Sequence, residues 1–371
     1  MLRVHLRRQA EPMIRLLRNA LLTLLLILAL LWLLASHLSW QPEPREALPV
    51  ACRGTATPLV PGQMLKVMSW NIQYLAGKGY VFWYDEGRGS DTRPTEQDLA
   101  FNLDEVARVI RADNPDIVLL QELDTNAKAS AYQDQLALLR ERLADLYPCA
   151  VQAYDWKADF VPDRHVFGSV GRGLATLSRY PIQQAERLAL PSAPDNALSR
   201  LLQPQQAVLA SYLPLRDGGS LAVLNTHLAP FVPGSDIQRQ QVRQLGALLD
   251  KLESQGTPWL IGGDFNLLPL GQYRRLTPEQ RQHYGADSDL HLLWDKYPMI
   301  PSNAEAGGAE RSAWLTHYPN DPRLNGPDRT LDYLFHSPKL QRLSARVLQQ
   351  DTLQISDHLP LSARLLLPTP P

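Results

Sequence analysis

From residue 64 onward the chain alternates short apolar runs with longer amphipathic stretches, a rhythm that limits it to an α/β layout with strands covered by helices. Leu65–Ile72, Asp116–Gln121, Leu174–Ser178, Ala207–Leu213, Leu221–Thr226, Trp259–Gly263, Leu331–His336 and Leu359–Leu367 read as strands. Between them, Thr95 with Asp98 resembles a capping box opening a helix whose Leu99, Leu103, Val106 and Ile110 share one face. Asp134–Leu146 and Ser235–Glu253 carry similar helical spacing. Residues 64–371 contain no repeat, low-complexity tract or clear second boundary, so one domain is expected there.

The N-terminus is of another kind. Arg3, Arg7, Arg8, Arg15 and Arg18 surround the approach to a Leu-dominated run from Ala20 to Ala35 broken only by Thr23. Leu16, Leu17, Leu38 and Trp40 extend that run to bilayer length. A buried core helix is the alternative, but the run lacks a polar face. Ala35-Ser36-His37 is a poor cleavage site, which favours an uncleaved anchor over a signal peptide. The arginines then predict a short cytoplasmic tail over 1–19, a span over 20–40 and a domain on the far side of the membrane. Residues 41–63, with Pro42, Pro44, Pro49, Pro58 and Pro61, read as a stiff spacer.

With 44% hydrophobic and 20% charged residues, the chain has material for a sizeable core. Beyond residue 63 there are 30 Lys and Arg against 35 Asp and Glu, which argues against a surface built to grip long polyanions, though a locally basic groove is compatible with it. Cys52 and Cys149 are too few for a cysteine-rich metal module and leave open one disulfide or two thiols.

Polar residues of catalytic type stand at or just beyond the strand ends, where an α/β scaffold presents side chains to solvent. In order they are Ser69-Trp70-Asn71, Leu120-Gln121-Glu122, Asn225-Thr226-His227, Gly262-Gly263-Asp264-Phe265-Asn266, Leu331-Asp332-Tyr333 and Ser356-Asp357-His358. This ordered set, over roughly residues 64 to 367, resembles the endonuclease/exonuclease/phosphatase superfamily of deoxyribonuclease I-like metallophosphoesterases. The resemblance implies a four-layered α/β sandwich, two central mixed β-sheets face to face with helices outside, here preceded by a transmembrane helix.

It also implies roles. Glu122 is expected as the main Mg²⁺ ligand, with Asn71 and Asp357 beside it, and Mn²⁺ is the alternative ion, since both cations favour oxygen donors. Asp264 would orient or deprotonate the attacking water and Asn266 would hold the phosphate. Strand alternation puts these two on one side with Phe265 opposed. His358 would contact the scissile phosphate, with Asp332 setting its tautomer and favouring its protonated form, and His227 would be a second imidazole on the phosphate oxygens. Taken singly, each of these residues has a bland reading as a solvated turn or structural residue. Gly173–Ser178 and Arg179-Tyr180-Pro181-Ile182 match scaffold in this family. A further site residue between the second and fourth motifs has only Asp159, Asp163 and His165 as candidates. The stretch Tyr80–Pro94, with Phe82, Trp83, Tyr84, Arg88 and Arg93, suits a lipid headgroup, a stacked base or an aromatic mini-core under the loop.

The expected activity is Mg²⁺-dependent hydrolysis of a phosphoester by a monomeric, membrane-anchored, extracytoplasmic domain, with nucleic acid, lipid or inositol phosphate as substrate. The alternatives within catalysis are a sphingomyelinase-like lipid phosphodiesterase and an inositol-phosphate phosphatase. From another class comes a non-catalytic, membrane-tethered binding module using the same fold.

Overall fold

The computed structural model describes residues 2–38, 40–80, 93–192, 202–321 and 323–369. Helix α1 (Leu2–Leu38) belongs to the first of two units, and its stretch Met13–Leu33, of mean hydropathy 2.2, is long and apolar enough to cross a membrane. An anchor and a signal sequence both have these properties.

The second unit begins at Pro42 and is built on two seven-stranded sheets. Its strands are β1 (Arg45–Ala47), β2 (Ala51–Cys52), β3 (Met64–Asn71), β4 (Ile117–Asp124), β5 (Cys149–Val161), β6 (Gly168–Ser178), β7 (Gln184–Ala189), β8 (Ala207–Pro214), β9 (Ser220–His227), β10 (Trp259–Asp264), β11 (Met299–Ile300), β12 (Asp332–His336), β13 (Gln341–Val347) and β14 (Leu361–Leu366). The first sheet runs β13-β14-β3-β4-β6-β5-β2 and the second β1-β7-β8-β9-β10-β12-β11. Each is mixed: β3 is parallel to β4 and β9 to β10, and the other pairs are antiparallel.

Strand alternation sorts the side chains into layers. Val67, Ile117 and Leu119 join Val223, Leu260 and Leu334 in the core between the sheets. Their neighbours Met68, Trp70, Val118 and Leu120 face outward under α2 (Glu96–Asp113) and α3 (Gln135–Arg142). On the other side Ala222, Leu224, Trp259 and Ile261 pack under α4 (Ile237–Ser254). These layers make the expected four-layered sandwich. Thr95 caps α2 by accepting from Asp98 N, and Asp134 caps α3 by accepting from Ala137 N, so both helices start where their capping side chains satisfy free amides.

The glycine pair of the Gly-Gly-Asp-Phe-Asn motif lets the strands approach closely. A Cβ on Gly262 would stand 2.6 Å from Cδ2 of Leu334, its partner on the neighbouring β12, and 2.9 Å from Leu119 Cδ1 across the inter-sheet gap. A Cβ on Gly263 would fall 1.9 Å from the Thr226 carbonyl oxygen.

The spacer expected over 41–63 is corrected by the structure. β1 pairs with β7 and β2 with β5, Cys52 is disulfide-bonded to Cys149, and Leu59 lies in the inter-sheet core. Its prolines all fall outside β1 and β2, so none interrupts a strand ladder. β5, β7 and β13 are strands beyond those expected, and in β7 the adjacent buried charges Glu186 and Arg187 mask the apolar pattern. Most of the Tyr80–Pro94 stretch, residues 81–92, lies outside the described residues.

Candidate active site

Parallel β3 and β4 end at Asn71 and Asp124, and parallel β9 and β10 end at His227 and Asp264. Antiparallel β12 starts at Asp332, opposite Asp264, and Asp357-His358 immediately precedes β14. The expected residues therefore meet at one edge of both sheets. Hydrogen bonds tie the loops down beneath them. Trp70 Nε1 donates to the His358 carbonyl at 2.9 Å, Ser356 Oγ donates to the Asn71 carbonyl at 2.9 Å, and His358 N donates to Ser356 Oγ at 3.1 Å. Between the sheets Gln121 Nε2 donates to Asn225 Oδ1 at 2.7 Å, and Asn225 Nδ2 donates to the carbonyls of Leu120 and Ala175. These buried amides lock the two sheets together just under the site.

Glu122 sits in a bulge. Leu120 pairs with Ala175 and Leu123 with Gly173, so β4 carries an extra residue there, and Glu122 takes φ 56°. A bulge re-aims one side chain, here to the cleft. Gly171 and Gly173 flank Arg172 because a Cβ at either would strike a neighbouring backbone carbonyl, that of Thr125 or of Ala153.

Asp264 is the hub. Its Oδ2 lies 3.5 Å from His227 Nε2, 3.4 Å from His358 Nε2 and 3.3 Å from Asn71 Nδ2, which donates to it. Its Oδ1 accepts from Asn266 N at 2.9 Å. His358 Nδ1 donates to Asp332 Oδ2 at 2.8 Å, and His227 Nε2 is 3.9 Å from Glu122 Oε1. Asn266 departs from the strand geometry expected for it. β10 has ended, Asn266 adopts φ 51°, and one of its amide N–H groups donates to the Leu228 carbonyl, while Phe265 packs into the outer core.

The two imidazoles are tuned in opposite directions. Burial alone would lower the His358 pKa, but Asp332 and Asp264 override it and hold the ring protonated, well above the usual histidine range. Burial pushes His227 down to about 4 against the pull of Asp264, with Arg172 and His358 adding repulsion. The site thus presents one cationic and one neutral imidazole at neutral pH.

Burial, and then the Asp357 charge, push Glu122 up to about 8, and burial likewise raises Asp357. Two carboxyl groups held up in this way fit a bound divalent cation, whose charge would replace the missing solvation, and the oxygen donors suit a hard ion. The triad Asp264, Asp332 and His358 also has metal-ligand spacing, but there the imidazolium already supplies the positive charge.

Three neighbours were not singled out in the sequence. Buried Asp155 on β5 faces His227 Nδ1 at 4.0 Å and accepts from Arg172 Nε at 2.9 Å. Arg172, whose pKa its carboxylate neighbours raise against burial, is close enough to Glu122 to lower its pKa. The His317 ring lies 4.5 Å from that of His358 and is kept neutral by burial first and then by His358. Asp155 lies on a strand beyond those expected and Arg172 just before the scaffold-matching segment Gly173–Ser178, and only their buried charge marks them. The candidates Asp159, Asp163 and His165 instead lie farther out along the β5–β6 hairpin, where Asp163 Oδ1 accepts from His165 N at 2.8 Å.

Residues 68–358 match the family model described as the Endonuclease/Exonuclease/phosphatase family. Among solved structures, the endonuclease/exonuclease/phosphatase from Beutenbergia cavernae DSM 12333 is 22% identical over 82% of this chain and 72% of that one, with a TM-score of 0.55. The human Nocturnin catalytic domain with bound sulfate anion is 18% identical over 88% of this chain and 99% of that one, with a TM-score of 0.52. These two likenesses concern the fold. No curated protein matches the chain in sequence.

Proposed function

The chain belongs to the endonuclease/exonuclease/phosphatase family, divalent-metal-dependent hydrolases of phosphoester bonds, and from that premise we propose that it hydrolyses a phosphodiester with Mg²⁺ in a membrane-anchored domain outside the cytoplasm. The observation that carries the reading is the convergence of Asp264 Oδ2 on both His227 and His358 at 3.5 and 3.4 Å, beside Glu122.

In this reading Glu122, Asp357 and the Asn71 amide oxygen, which also accepts from Gln73 N, would hold the cation, and the ion would supply Lewis-acid polarisation of a phosphoryl oxygen. Asp264 orients the attacking water and takes its proton, held in place by the Asn266 amide and by Asn71 Nδ2. Cationic His358, fixed by Asp332, places positive charge where the phosphorane oxygens become more negative. Neutral His227 supplies a hydrogen bond without adding a second repelling charge. Asn266 has one amide N–H left for a phosphate oxygen after the other is used on Leu228. The non-catalytic alternative is disfavoured because a binding module has no use for two imidazoles held in opposite charge states around one aspartate.

The location rests on the arginine-flanked apolar helix and on Cys52–Cys149, since disulfides persist in oxidising compartments. The expected domain division is modified accordingly, to a cytoplasmic tail, a span and a folded unit from Pro42. The test is turnover of a generic aryl phosphodiester by the full chain with Mg²⁺. Chelator should abolish it without loss of circular dichroism, and Glu122→Gln should lower kcat by about 10²-fold or more. Full activity in chelator would remove the metal from the mechanism.

A further inference from the structure

The large apolar side chains that the folded unit leaves exposed are unevenly placed. Tyr132, Phe167, Val232 and Leu270 lie on connections that leave the site-bearing edge, after β4, between β5 and β6, after β9 and after β10, and Phe160 lies at the outer end of β5. Among the described residues of this unit only Met64, Phe101 and Leu343 join them elsewhere. Exposed hydrophobics scattered over a surface need no explanation, but their concentration at the site-bearing end of the strands does.

The β5–β6 hairpin is the firmest part of this rim. β4 ends opposite Arg172, yet β5 and β6 stay paired outward as far as Val161 and Gly168. The projection is propped from the side, because Thr125 N donates to the Gly171 carbonyl, Ser169 Oγ donates to the Asn126 carbonyl and Lys128 Nζ donates to the Phe167 carbonyl. At its tip Phe160 and Phe167 meet edge to face at 5.2 Å and remain 50% and 59% exposed, with Lys128 over the Phe167 ring and Arg164 exposed beside them. A braced hairpin that holds two phenyl rings in water, with Lys128 over one of them and the exposed charges Asp159, Asp163 and Arg164 around the tip, suits insertion of the rings at a lipid interface with the charges left at the headgroups.

Chain connectivity points the same way. In the second sheet Arg45 pairs with Leu188, Val208 with Thr226, and Thr226 with Gly263, while Ala189 N donates to the Pro44 carbonyl. The polypeptide therefore enters this unit on the strand row that carries His227, Asp264 and Asp332. The apolar helix ends only a few residues earlier, at Leu38.

We propose that the apolar rim of the catalytic cleft, led by Phe160 and Phe167, docks on the bilayer surface, so that the site draws its phosphoester from lipid headgroups. This rests on the anchored-domain reading. Nucleic acid is the less favoured occupant of the rim, because acidic residues outnumber basic ones beyond residue 63.

The test places an environment-sensitive nitrobenzoxadiazole label on Phe160→Cys, or on Leu270→Cys if the first folds poorly, in the full chain reconstituted in phosphatidylcholine vesicles with a minor share of phosphatidylglycerol. The two native cysteines are bonded to each other, so the introduced thiol is labelled alone. The rim label should shift to the blue and be quenched by nitroxide-bearing lipid, whereas a label on Met64→Cys, at the opposite end of β3, should keep its emission in water. A chain that floats with vesicles while its rim label stays aqueous overturns this proposal and leaves the anchor standing. Failure to float overturns both. A label that shifts with a single-stranded oligonucleotide and ignores vesicles overturns it in favour of nucleic acid.

Discussion

His358 owes its charge to Asp332 and Asp264, and that dependence is measurable. Asp332→Asn keeps the shape of the partner but removes a charge that raises the imidazole, so the alkaline limb of the kcat–pH profile should move to lower pH. His358→Ala should lose kcat by about 10²-fold or more with a smaller change in KM, and Asp332→Asn should lose less. Unchanged profiles in both would remove His358 from the chemistry. Glu122 is linked to folding with the same sign, but its protonated form is neutral. Its folded, metal-free pKa of about 8 stands above the unfolded value of 4.5, so the folded state binds the extra proton between these limits. Stability from this group is full below the unfolded pKa and is lost as pH rises towards 8. In chelator, the wild-type melting temperature should therefore fall over that interval relative to Glu122→Gln. Added Mg²⁺ should raise it most at the alkaline end, where the ion no longer competes with a proton. A flat difference between the two proteins would contradict the assignment.

At the scale of the element, β10 does the most to build the site, because it runs through the inter-sheet contact and ends on Asp264. Its two glycines differ in what they meet. Gly262→Ala would press on the ends of two leucine side chains, which have room to give, and should cost about 1–3 kcal/mol in urea unfolding. Gly263→Ala would drive a methyl into the backbone carbonyl of Thr226, which has no freedom to move without breaking the β9–β10 ladder, and should be the more damaging of the two. The reverse order would mean that the sheets, rather than the strands within one sheet, set the tolerance here. Glu122 depends in the same way on a feature of its strand, the bulge after Leu120, which a run of apolar residues does not announce.

Across the whole molecule, the N-terminal segment is stitched to both sheets before the first long strand begins. Cys52–Cys149 spans 97 residues of sequence and joins the short edge strand β2 to β5, which carries Asp155. Replacing both cysteines by serine should lower the unfolding free energy by about 2–4 kcal/mol, with the loss visible as an earlier urea midpoint and, because the uncrosslinked chain unfolds to a more open state, a steeper slope. If the midpoint does not move, the segment is held by Leu59 and strand pairing alone.

The ordered motifs identified the family and with it the sandwich, and they singled out Asn71, Glu122, His227, Asp264, Asn266, Asp332, Asp357 and His358, which the fold brings together, since each lies at or near the end of a strand whose apolar pattern is local in the chain. The membrane-length helix was equally legible, because its signal is a run of adjacent side chains. Only the tertiary structure decided the rest. The pairing of Cys52 with Cys149, the edge strands in place of a spacer, the Asp155–Arg172 pair under His227, and the opposite charge states of the two imidazoles all depend on groups far apart in sequence. Burial and charge at a point in space are sums over every element packed there, so no local pattern along the chain records them.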